Sequence, residues 1–157
     1  MKHFTYQADE EAATAALGAA LAAVLPAGST VALCGTLGAG KTRLVQAVAA
    51  AAGVEPRSVV SPSFVLIQEY AGRVPIYHID AYRLRDADEF RQLGPEEYFE
   101  GRGLVLIEWA DRVRPALPPQ RMEIDITVTG PQSRRFDLTA LGGPYAAVLD
   151  ALAARLG

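Results

Sequence analysis

A chain of 157 residues and 16.7 kDa, half apolar and about one-fifth charged, has the length of one domain and the composition of a globular core. A second full domain and wholesale disorder are therefore excluded, and the expectation is a single domain over residues 1–157. A formal charge of −3 excludes an electrostatic grip on nucleic acid without help, and the lone Cys34 excludes a disulfide framework or a cysteine zinc site.

The opening residues His3 to Tyr6 predict a short strand. From Asp9 to Leu25 an Ala- and Leu-rich run, with Leu17, Leu21, Val24 and Leu25 at helical spacing, predicts a helix that Pro26 stops. Thr30 to Leu33 is a short apolar strand, and a glycine-rich loop leads from it into helix formers over Lys41–Ala52 that Gly53 closes. Phe64–Tyr70 and Val74–Ile79 are β-branched and aromatic runs joined by Ala71-Gly72-Arg73, which predicts an antiparallel hairpin.

Residues 86–100 are acidic with Pro95 inside, which suggests two short helical pieces with a solvated face. Leu104–Ile107 is wholly apolar, the pattern of a central strand buried on both faces. Pro115, Pro118 and Pro119 mark a connection; Met122–Thr129 and Arg135–Leu138 form a second hairpin about Gly130-Pro131, and Tyr145–Leu156 is an amphipathic closing helix. The expected fold is an α/β sandwich with a mixed central sheet and flanking helices. The absence of a run of about 18 apolar residues argues against a membrane partner and makes the cytoplasm the expected location.

The chemistry is concentrated between Gly35 and Thr42. Gly35, Thr36, Leu37, Gly38, Ala39, Gly40, Lys41 and Thr42 read GTLGAGKT, the Walker A pattern, placed after a strand and before a helix, so the expected sandwich is of the P-loop nucleoside triphosphatase kind. The glycines let successive N–H groups point at one anion, the helix N-terminus adds its dipole, Lys41 neutralises the β- and γ-phosphates and Thr42 faces Mg²⁺. Only Lys2 and Lys41 are lysines in an arginine-rich chain, so a lysine kept in the loop is informative.

Hydrolysis also needs an acid near the metal and a group that orients water. Two strand-end acids qualify, Asp80 after VPIYHI and Glu108 after LVLI; the simpler role for each is to cap the segment that follows. His78 shares the face of Asp80 by strand alternation and reads best as a buried hydrogen-bonding histidine supporting the site. Trp109, the only tryptophan, is either core or a partner contact. Ser61 and Ser63 of SPSF stand where nucleotidases keep a loop that senses the γ-phosphate, or form an ordinary proline turn.

GTLGAGKT with a helix before it, SPSF, HIDAYRL and LIEW, in this order and at these separations over nearly the whole chain, resemble the TsaE family, also called YjeE. The resemblance implies a cytoplasmic ATPase that binds ATP or ADP with Mg²⁺ and works with the TsaD–TsaB pair, which makes threonylcarbamoyladenosine at position 37 of tRNAs reading ANN codons. Contact with tRNA would run through that complex, and no DNA or membrane is implied. It also implies phosphate and metal roles for Lys41 and Thr42, Glu108 as the acid near the metal, Asp80 as the other essential carboxylate, and Ser63 and Trp109 on the switch or partner-facing surface. Thr14 and Arg134 would border the base or ribose. The chain departs from the family pattern at Thr36, usually Asp, at Arg43, usually Thr, at Ser63, usually Thr, and at Ala81, usually Leu. Thr36 and Arg43 together make the loop more positive and so bear on nucleotide affinity.

Of three rivals, the first falls on inspection and two remain in view. A GTPase needs an Asn-Lys-x-Asp loop, which the chain lacks. A small-molecule kinase, for example of a nucleoside, would use Asp111-Arg112-Val113-Arg114 as a short arginine lid. A nucleotide-gated scaffold would bind ATP without needing to cleave it.

Overall fold

The computed structural model describes residues 2–36, 38–55 and 67–157. Its strands are β1 (Lys2–Ala8), β2 (Thr30–Gly35), β3 (Ile67–Ala71), β4 (Pro75–Asp80), β5 (Leu104–Glu108), β6 (Arg121–Val128) and β7 (Arg134–Leu141). The helices are α1 (Glu11–Val24), α2 (Lys41–Ala51), α3 (Ala87–Arg91), α4 (Glu96–Phe99) and α5 (Tyr145–Leu156), with a 3₁₀ stretch over Ala110–Ala116.

The seven strands form one sheet in the order β1-β7-β6-β2-β5-β4-β3. Its centre is parallel, β6 against β2, β2 against β5 and β5 against β4; the outer pairs β1·β7, β7·β6 and β4·β3 are antiparallel. The mixed sheet, the 67–80 hairpin and the second hairpin therefore match the sequence reading, as do two short helices within 86–100. The part of the first hairpin expected over Phe64–Leu66 lies outside the described residues.

Alternation explains the two cores. Along β2, Val31 and Leu33 point into one cluster and Ala32 and Cys34 into the other; along β5, Leu104 and Leu106 oppose Val105 and Ile107. Such continuous apolar strands belong in a parallel sheet covered on both sides. One side is covered by α1, α2 and α5, through Leu17, Leu21, Leu44, Val48, Leu149 and Leu152. The other is covered by Phe90 of α3 and Val113 of the 3₁₀ stretch, with Tyr98 and Phe99 of α4 packed beside them. At Gly18 of α1, an added Cβ would lie 2.3 Å from the Cβ of Ala47, so the missing side chain lets α1 lie directly on α2.

Two differences from the sequence reading have local causes. β1 runs from Lys2 to Ala8, longer than its apolar segment, because every residue from Lys2 to Ala8 finds a register partner on β7. The connection through Pro115 contains a 3₁₀ stretch, kinked at Val113, where a helical period is too short-lived to read.

All four parallel strands end on one edge of the sheet. Gly35, Asp80 and Glu108 stand there, together with the β6–β7 turn and the start of α1. Crevices beyond the carboxyl ends of parallel strands are where α/β folds bind ligands.

Candidate functional site

At that edge lies a cleft of ≈ 570 Å³. Its floor is the turn from β2 into α2. Gly40 precedes the helix at φ 107°, in the left-handed region that a glycine occupies without strain, and thereby turns the N-terminus of α2 towards the cleft. Lys41, 4% exposed, donates to the carbonyls of Gly35 at 2.7 Å and Thr36 at 2.9 Å. Its ammonium also sits 3.9 Å from the centroid of the Trp109 ring, a cation–π contact. Burial pulls the Lys41 ammonium below its ordinary pKa, and the carboxylates of Glu108, Asp111 and Asp80 counter that pull.

Thr42 and Glu108 meet although they are far apart in sequence. The Thr42 hydroxyl donates to the Glu108 carboxylate, 2.9 and 2.8 Å from its two oxygens. Hydroxyl and carboxylate oxygens at this separation suit a hard divalent cation, which prefers oxygen ligands. The register explains the approach: β2 and β5 are adjacent and parallel, with Leu33 beside Glu108. β4 lies on the other side of β5 and sets Asp80 beside Glu108.

Behind Glu108 runs a buried chain of hydrogen bonds. His78, 0% exposed, has Nε2 2.5 Å from Oε2 of Glu108 and Nδ1 3.1 Å from the hydroxyl of Tyr70. Tyr70 donates its proton to Oε1 of Gln68 at 2.6 Å, so its oxygen accepts from Nδ1–H of His78. The histidine is thus the hydrogen-bonded support expected from the sequence. Tyr70 and Gln68, on the neighbouring β3, are members of the network that sequence reasoning missed, because only the β3–β4 register brings Gln68 opposite His78.

Asp80, 9% exposed, lines the same cleft, and its Oδ1 accepts from the N–H of Tyr82 at 2.9 Å. The turn-capping role and a place in the cleft therefore coexist. Trp109 is neither buried core nor a free surface residue. It adopts φ 58°, ψ 37°, alone among the described non-glycine residues at positive φ, and its ring lies 5.0 Å from that of Tyr82. A bulky side chain in the left-handed region carries strain that its surroundings must offset, a condition that clusters at functional sites. No residue type in LIEW signals that backbone.

Thr14 of α1 and Arg134 of β7 also reach the cleft. Arg134 donates from Nε to the carbonyl of Ala39 at 2.9 Å and from Nη1 to those of Gly130 and Ser133, so it ties the second hairpin to the glycine loop. Thr36, Gly38, Ala39 and Arg43 fall in or beside the loop as expected. Leu37, Ser61 and Ser63 lie outside the described residues.

A family model described as "Threonylcarbamoyl adenosine biosynthesis protein TsaE" matches residues 8–136. A Bacillus subtilis protein named "tRNA threonylcarbamoyladenosine biosynthesis protein TsaE" is 38% identical over 146 residues, covering 92% of this chain and 90% of its own. A Nostoc protein of the same name is 42% identical over 140 residues, covering 85% and 83%. Among solved structures, the Bacillus subtilis protein YdiB superposes with a TM-score of 0.83 at 32% identity, covering 99% of this chain and 97% of that one.

Proposed function

The chain belongs to the TsaE family of tRNA threonylcarbamoyladenosine biosynthesis proteins, and from that premise we propose that it is a Mg²⁺-dependent ATPase, slow alone and governed by the TsaD–TsaB complex. It acts in the cytoplasm as one catalytic domain, and tRNA reaches it only through that complex. The observation that carries this reading is the meeting of Lys41, Thr42 and Glu108 around one cleft at the N-terminus of α2.

In this account Lys41 leaves the loop carbonyls and the Trp109 ring for the β- and γ-phosphates. Thr42 and Glu108 would hold Mg²⁺, with Asp80 as the second carboxylate facing the same space; a cation held there would supply neutralisation of the charge that develops on the phosphates. His78 keeps the Glu108 carboxylate turned towards Thr42. One neighbouring feature favours hydrolysis over transfer to a small acceptor: Arg114 pairs with Glu123 at 3.2 Å and does not line the cleft, which leaves Arg112, over the Tyr82 and Trp109 rings at 5.3 and 5.7 Å, as the single lid arginine at its rim.

Titration with ADP and Mg²⁺, followed by Trp109 emission, tests the reading. Departure of the ammonium from the ring should change the emission, and Lys41→Ala should weaken ADP by roughly 10- to 100-fold, the loss expected for a charge-assisted hydrogen bond. An unchanged affinity in Lys41→Ala overturns the assignment.

A further inference from the structure

The first turn of α2 carries two cations, Lys41 and Arg43, and no acid. A cation in the first turn faces the positive end of the helix dipole, so Arg43 stands where its charge is disfavoured unless an anion is near. The anion it has is Glu11, in the first turn of α1: Nη1 of Arg43 lies 2.5 Å from Oε1 of Glu11. Both side chains are more than half exposed, at 56% and 65%, and both line the cleft that holds Lys41 and Thr42. An exposed pair of this kind contributes little to stability, so exchanging its partner is cheap.

Resting on the nucleotide reading above, we propose that Glu11 is an internal stand-in for a nucleotide phosphate on Arg43: phosphate binding draws the guanidinium away from the carboxylate. Arg43 is then an affinity-setting contact for di- and triphosphate nucleotides, and Glu11 is a built-in competitor that weakens them. A guanidinium suits this exchange because its fork binds carboxylate and phosphate oxygens with the same geometry.

The two members therefore have opposite effects. At low ionic strength Arg43→Thr should weaken Mg-ADP by about tenfold, the scale of one charge-assisted hydrogen bond, whereas Glu11→Gln should tighten it about threefold. Both effects should shrink towards 1 M salt. Isothermal titration with ADP on the full chain, its two single variants and the double variant reads this directly, with thermal melts alongside. The double variant should bind more weakly than Glu11→Gln, because the contact to phosphate is lost even when no carboxylate remains to repel it. Equal affinity in those two would mean that Arg43 merely screens Glu11, and would overturn the proposal. So would a pair of single variants that both lower the melting temperature and leave ADP affinity alike, the mark of a structural ion pair. If the unaltered chain binds no ADP, the nucleotide reading fails first and this inference with it; binding that Lys41→Ala abolishes and Arg43→Thr leaves alone overturns this inference only.

Discussion

His78 is buried completely between a carboxylate and a phenol, and its removal isolates an acid that the fold has taken out of water. Removing one partner of a buried hydrogen bond leaves the other unsatisfied and typically costs about 1–3 kcal/mol. Thr42 still donates to Glu108, but losing the ring also empties a fully buried site, so His78→Ala should cost about 3 kcal/mol in denaturant unfolding. Tyr70→Phe, which keeps the ring and removes one hydroxyl, should cost about 1 kcal/mol. A His78→Ala cost no larger than that of Tyr70→Phe would contradict the brace. At this scale the sequence singled out Lys41, Thr42 and Glu108 by residue type, three residues that the structure brings to one cleft. It was silent on Tyr70 and on the backbone of Trp109, because a strand partner and a φ angle leave no mark on residue identity.

At the scale of elements, the contact between α1 and α2 aligns Glu11 and Thr14 with the loop. It depends on Gly18, whose place a Cβ would fill only by overlapping Ala47. Gly18→Ala should therefore destabilise the chain by about 1–3 kcal/mol through overpacking, despite the better helix propensity of alanine. It should also weaken nucleotide binding, since α1 forms one wall of the cleft. A melting temperature unchanged by Gly18→Ala would show that the helices have room to separate. Helices with a sustained period were legible nearly to the residue: α5 spans Tyr145–Leu156 as expected, and α1 begins two residues later than Asp9. The 3₁₀ stretch was not, because three residues per turn over a few residues leave no apolar stripe. β1 was underestimated because most of its side chains are exposed or half-buried and pairing with β7 extends it through polar residues.

Over the whole molecule, the class of fold followed from the succession of strand, glycine loop, helix and hairpins, but the strand order did not. β1 is an edge strand because it pairs with β7 more than a hundred residues away, and β2 lies between β5 and β6. Such pairings depend on long-range packing and not on any local signal. The arrangement nevertheless explains why Thr14, Lys41, Thr42, Asp80, Glu108 and Arg134 converge: each lies at or near an end of a strand or helix that meets the same edge of the sheet. Along the described residues no helix is long and apolar enough to cross a membrane.

If this cleft hydrolyses ATP under the control of a protein partner, turnover must answer both to that partner and to Glu108. The most direct test is the ATP hydrolysis rate of the purified chain, alone and with its own TsaD–TsaB pair, for the unaltered chain and for Glu108→Ala. Slow turnover alone, a large rise on adding the pair and loss of that rise in Glu108→Ala are expected. A rate indifferent to the pair, with phosphate appearing instead on a nucleoside acceptor, would contradict the proposed function.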